Sequence, residues 1–252
     1  MEENLVNIGM ADYKTGLPNV AGKVNGYGSS FLGHINAAYE QISNLKTSWY
    51  GKRYNELVAI FNGEAGDGTS FSATGGENAT GINPKEAFTN MINLLMYSIP
   101  SSIIQVANNY ARVDGAPIID DPYSGKALGA GGDEESITVI AKSDVEGKLR
   151  FVESEVNTTK EEVKNCFTSA KSILSDVDDL FANMQVEGAD YAWTSNASAL
   201  YKTTYEGVKA DVETAFTNLL NAIDTVMETT KLDMKSAEDM NVGEVTGATP
   251  EA

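Results

Sequence analysis

From Val145 onward the apolar positions fall at Val145, Leu149, Val152, Val156, Val163, Phe167, Ala170, Leu174, Val177 and Phe181. Steps of three, four and seven place all of them on one face of a helix. The spacing predicts a single amphipathic helix of roughly 37 residues, about 55 Å long. Ser143 and Glu146 in front of it have the spacing of a capping box, with Gly147 as a weak point in the first turn. After the break VEGADYAWTSN a second stripe follows at Tyr201, Tyr205, Val208, Val212, Phe216, Leu219, Ile223 and Val226. Two long amphipathic helices joined by a short turn predict an antiparallel hairpin.

The first half repeats this plan. Val20, Val24, Tyr27, Phe31, Ile35, Ala38, Ile42 and Leu45 form one stripe, a turn follows at Ser48-Trp49-Tyr50-Gly51, and a helix is expected through Phe61. A Gly/Ser/Thr/Asn-rich insertion at 63–84 should be a loop. The helix resumes at Pro84, which suits a first helical position. It continues through Phe88, Met91, Leu95, Ile99, Ile103, Val106 and Tyr110, with a kink expected at Pro100. Residues 115–136 read as a linker, SITVIAKS (136–143) as a short extended lead-in, and 236–252 as a disordered acidic tail. The expected units are therefore a first hairpin over 1–114 and a second over 137–235. Each hairpin alone leaves its apolar stripe uncovered. The fold class expected is all-α, with two antiparallel helical hairpins packing as an elongated four-helix bundle.

The chain's two tryptophans, Trp49 and Trp193, both fall at the hairpin turns. Gly51 suits a tight corner where the backbone takes positive φ, and a Trp beside it covers the open end of a hairpin core.

Composition narrows the chemistry. The net charge is −18, with 26 acids against 11 bases in residues 116–252. Nucleic acid is thus an unsuited partner, because phosphate binding needs a basic face. Anionic membranes are disfavoured for the same reason. No run approaches the roughly 18 apolar residues of a membrane span, so no stable insertion is expected. MEENLVNIGMADYKTG has neither a basic start nor an apolar run, so no cleavable signal peptide is expected. The single Cys166 excludes an intrachain disulfide, and the single His34 lies mid-stripe in a predicted helix. No Cys/His cluster, P-loop lysine or EF-hand spacing is present. The reading is a non-enzymatic protein without metal or cofactor.

A helical hairpin of this length with Trp49-Tyr50-Gly51 in its turn resembles the WXG family, small proteins exported by type VII secretion systems of Gram-positive bacteria and mycobacteria. Tyr110-Ala-Arg-Val-Asp114 is similar to the family's Tyr-x-x-x-Asp/Glu export motif at the end of the second helix. ITVIAKSDVEGKLRFVESEV looks like the family's lead into helix one. The resemblance covers about residues 15–114 and 137–235. It departs from the family at Trp193-Thr194-Ser195, where Ser stands in place of Gly, and at the end of the fourth helix, which has no motif Tyr. The resemblance implies two fused partners, the first hairpin providing the signal and the second a packing surface. It implies a secreted or cell-surface protein acting through protein–protein contacts, with a type VII secretion ATPase as partner and another WXG-type protein or a second copy as a further one. It also implies a composite docking site of Trp193 beside Tyr110 and Asp114. Two other readings stand beside it: a structural surface-assembly protein, and a membrane-active helical toxin opening near 88–107.

Overall fold

A computed structural model describes residues 8–64, 82–129, 135–143, 145, 147–184, 193–195 and 197–247. The protein is all-α in class. Strand β1 (Ile8–Ala11) leads into helix α1 (Gly16–Asn44), and strand β2 (Trp49–Tyr50) into α2 (Lys52–Phe61). Helix α3 (Pro84–Asn93) continues through a π-helical turn at Leu94–Ser98 into α4 (Ile99–Val113). Strand β3 (Arg150–Phe151) precedes α5 (Glu153–Asn183), and strand β4 (Trp193–Ser195) precedes α6 (Ala199–Gly247).

The stripes bury as their spacing requires. Val20, Val24, Phe31, Ile35, Ala38 and Ile42 of α1 are buried, as are Val156, Val163, Phe167, Ala170, Leu174, Val177 and Phe181 of α5. Helix α1 packs chiefly on α5 and α4, while α6 packs on α3, α5 and α2. The core is continuous across both halves of the chain. At its centre one phenylalanine from each of α1, α3, α5 and α6 (Phe31, Phe88, Phe167 and Phe216) meets the others, with ring centroids 4.6 to 6.4 Å apart in the contacting pairs.

Two short antiparallel ribbons join the halves. In one, Ala11 and Met10 face Trp193 and Thr194; in the other, Trp49 and Tyr50 face Phe151 and Arg150. The lead into each half thus pairs with the helix–helix turn of the other half, a quasi-twofold arrangement.

Several boundaries differ from the sequence reading. The helix expected from Val145 begins at Glu153. Gly147 takes φ +68°, Arg150 and Phe151 are drawn into the ribbon with Trp49–Tyr50, and the Val152 amide bonds the Ser48 carbonyl at 3.1 Å. Val145 and Leu149 are accordingly exposed. Ser143 therefore lies ten residues before this helix and does not cap it; Glu146, its expected capping-box partner, lies outside the described residues. The helix opens instead on Glu153 and Glu155, acids that suit the positive end of the helix dipole. Glu155 also accepts a hydrogen bond from the Ser48 hydroxyl. The tail expected to be disordered from residue 236 is helical through Gly247. Its side chains, Met240, Val242 and Val245 among them, are exposed. Its polarity reports the lack of a packing partner, and no proline interrupts the helix over 236–247; residues 248–252 lie outside the described residues. Most of the 63–84 insertion, residues 65–81, lies outside the described residues. Its two ends are clasped: the Asn83 side chain caps Lys85 and Glu86 and donates to the Gly63 carbonyl at 3.1 Å.

Pro100 is absorbed rather than left as a break. Proline has no N–H to return to the carbonyl four residues back, here Met96. The preceding turn widens to π geometry, and the Asn25 side chain donates to the Met96 carbonyl at 2.8 Å. This brings α1 very close to the π turn at Gly28. A Cβ there would sit 2.5 Å from Met96 Cγ and 2.9 Å from its backbone nitrogen. Gly28→Ala is expected to destabilise the protein by about 1–3 kcal/mol through overpacking. Gly26→Ala, on the same helix with nothing within 4 Å, should stabilise it by about 0.5–1 kcal/mol. Denaturant midpoints of the two variants should move in opposite directions.

Candidate functional site

Tyr110 lies in the last turn of α4, and Asp114 closes that helix. Gly115 at φ +68° stops it, with the Ala116 amide returning to the Ala111 carbonyl at 2.8 Å. Glycine suits this left-handed stop because it has no Cβ to clash. The stop leaves Tyr110 and Asp114 at the end of the helix, facing the β1–β4 ribbon.

Trp193, 4% exposed, is held there by its pairing with Ala11. Its indole Nε1 donates to the Tyr110 hydroxyl at 2.8 Å, and the rings meet edge-on with centroids 6.3 Å apart. Tyr201 at the start of α6 also meets the indole edge-on at 6.0 Å and shares a 3.0 Å hydrogen bond with Ser102. Burial pushes the Tyr201 hydroxyl's pKa up, partly offset by that bond. Tyr13, just after β1, donates its hydroxyl to the Asp114 carboxylate. That hydrogen bond, then slight desolvation and the carboxylate's charge, raises the Tyr13 pKa and keeps the phenol protonated.

The sequence-derived residues thus divide into two groups. Trp193, Tyr110 and Asp114 come together at one end. Trp49, Tyr50 and Gly51 lie at the other, separated from them by the 29 residues of α1, about 43 Å. Trp49 is 1% exposed and packs edge-on against Phe151 at 5.4 Å and against Tyr54 at 6.4 Å. Gly51 takes φ +112°, and a side chain there would also press on Leu149. This triplet closes a core end; Tyr50 is only half-buried, opposite Arg150. Sequence reasoning missed Tyr13. Its partner is 101 residues away, and no local pattern announces such a pair.

The Trp193 end presents a phenol and a carboxylate on a rigid aromatic floor, a surface suited to recognition by another protein. Cys166 is half-buried, and burial, then the Glu162 charge, raises its thiol pKa, the opposite of an activated nucleophile. His34 lies half-buried on α1. Among the described residues no group of three or more His, Cys, Asp or Glu side chains is placed to hold a metal ion. Among them also, no helix is long and apolar enough to cross a membrane.

Comparisons with protein families, with curated proteins and with solved structures give no match.

Trp193→Phe keeps the ring and removes the donor to Tyr110. The expected cost is about 1 kcal/mol, a fall in Tm of about 2–4 °C for a chain of this size. In the Tyr110→Phe background the same substitution should cost less, and a double-mutant cycle by thermal denaturation checks this coupling.

Proposed function

We propose that this protein is a non-enzymatic substrate or partner of a type VII, WXG-type secretion system. It is exported folded to the cell surface or medium without a cleavable signal and works through protein–protein contacts. In this reading α1, the α2–α4 line, α5 and α6 form one elongated four-helix bundle, in which the two halves take the places of two WXG partners. The secretion ATPase reads Tyr110 and Asp114 against Trp193.

The contact between Trp193 and Tyr110 carries the proposal. It unites the tryptophan of the second turn with the tyrosine of the Tyr-x-x-x-Asp sequence, and it exists only when both halves have folded together. An address of this kind reports folding and identity at once. Tyr13 adds a third segment, because it fixes the Asp114 carboxylate from the N-terminal lead. The continuous core between the halves supports a chain that needs no second WXG protein to cover its stripes. A second copy remains a partner for contacts outside the core.

The test is export from a Gram-positive host, comparing culture supernatant and cell-wall fractions with and without the secretion ATPase. Wild type should leave the cell only when the ATPase is present. Tyr110→Ala should reduce export at least tenfold while circular dichroism shows the same helicity, and Asp114→Ala should do likewise. Export of folded Tyr110→Ala at the wild-type level would overturn the reading.

A further inference from the structure

The segment 135–143 joins the halves, yet it is held like a bound peptide. Three asparagines, one on α1, one on α2 and one just past α2, grip its backbone, each with both ends of the side-chain amide. Asn36 donates to the Ser136 carbonyl at 3.1 Å and accepts from the Thr138 amide at 2.8 Å. Asn62, just past α2, donates to the Ile140 carbonyl at 2.8 Å and accepts from the Ile140 amide at 3.0 Å. Asn55 donates to the Ser143 carbonyl at 3.2 Å and accepts from its amide at 2.7 Å. These bonds read backbone alone and are indifferent to side-chain identity.

Spacing shows the conformation being held. Asn55 and Asn62 are seven residues apart on a helical line, about 10 Å. Their partners Ser143 and Ile140 are three residues apart, a span that three residues reach only near full extension, at most about 11 Å. The segment therefore runs extended and antiparallel to α2. Selectivity comes from two sockets: Ile137 is 5% exposed and Ile140 2%, while Val139 between them is 67% exposed. Lys142 adds a 2.6 Å ion pair to Glu64 at the rim. Among the described residues, the Ser143 hydroxyl is buried without a hydrogen-bond partner. An orphaned buried hydroxyl costs about 1–3 kcal/mol.

We infer that the face formed by α1 and α2 is a binding groove for extended peptide carrying aliphatic side chains three residues apart. The chain fills it with its own residues 135–143, and the same segment of a second copy enters once the resident strap lifts. The observation is independent of the export reading, since none of these residues lies at the Trp193 end. Backbone-directed clamps with side-chain sockets are the general way a fixed surface takes an extended ligand.

The test uses the full-length chain carrying Ile137→Asp and Ile140→Asp, which ejects the strap because its sockets reject charge. The probe is a fluorescein-labelled peptide of the sequence ESITVIAKS. The released chain should bind it saturably in fluorescence anisotropy. Wild type should bind at least tenfold more weakly, and so should the released chain carrying Asn55→Ala and Asn62→Ala. A folded released chain that ignores the peptide, or equal binding by all three, would overturn the inference. A second measurement needs no variant. In hydrogen exchange of the wild type, excess unlabelled peptide should speed exchange at the Thr138, Ile140 and Ser143 amides and leave α1 unchanged. Strap amides that open only when α1 opens, with peptide or without, would count equally against it. The same peptide with Ala at its last position should bind several-fold tighter, because the buried hydroxyl is gone.

Discussion

Phe31, Phe88, Phe167 and Phe216 meet at the centre of the molecule, and the rest of the structure follows from the need to bring them together. Each comes from a different helical line, two from each half of the chain. Neither half can bury its stripe on its own hairpin, because a two-helix hairpin covers only one side of each helix. The halves therefore fold against each other or leave two long apolar faces in water. At roughly 25 cal/mol per Å² of apolar surface, that exposure outweighs the loop-closure entropy of a connector about 40 residues long, which grows only with the logarithm of its length. Once the four rings are packed together, the ends of the hairpins are brought opposite one another. The two ribbons then form between segments distant in sequence, and each tryptophan is sealed by the lead strand of the other half.

The connector obeys a second constraint. A polar chain crossing the outside of packed helices has backbone N–H and C=O groups that face protein on one side, and each group shielded from water needs a partner. Asparagine supplies a donor and an acceptor with nearly the geometry of a backbone amide. Asn108 meets Ile119 in the same way, accepting from its amide at 2.6 Å and donating to its carbonyl at 2.8 Å. Asn93 accepts from the Leu128 amide at 2.6 Å. Five asparagines, all in the first half of the chain, thus convert a nominal linker into part of that half.

The helical stripes were legible because burial on one side of a helix writes a period of three or four residues into the sequence. The Pro84 start of α3 was legible for another local reason, since proline suits a first helical position. What failed to show was set at long range. Val145 and Leu149 fit the stripe of α5 in phase, but the ribbon with Trp49–Tyr50 claims the chain before the helix can begin, and Gly147 at φ +68° breaks the helical path between them. The asparagine clamps on residues 135–143 draw on residues 78 to 102 positions away, beyond any window of periodicity. At the candidate site, Tyr110, Asp114 and Trp193 were suggested by resemblance and by position at helix ends. Tyr13 carried no such mark, since a tyrosine beside a lead strand has many ordinary uses.

The two ends of the molecule are related in plan and differ in detail, and the difference is where function is best sought. Both ends have a tryptophan on a two-residue or three-residue strand, paired with the lead of the opposite half. At the Trp193 end, α4 stops at Gly115 and leaves Tyr110 on the indole and Asp114 under Tyr13. At the Trp49 end, α6 does not stop. It passes the corner, where Arg53 bridges Glu56 and Asp233 at 2.8 Å each, and runs on as an exposed helix to Gly247. Packing alone would permit both ends to be finished alike, since both close the same kind of core. The Tyr110 phenol and the Asp114 carboxylate are hydrogen-bonded to Trp193 and Tyr13, and exposed polar contacts contribute about 1 kcal/mol or less. The departure from the shared plan therefore adds little folding energy, and it leaves a hydrogen-bonded Tyr–Trp pair and an exposed carboxylate at one end only.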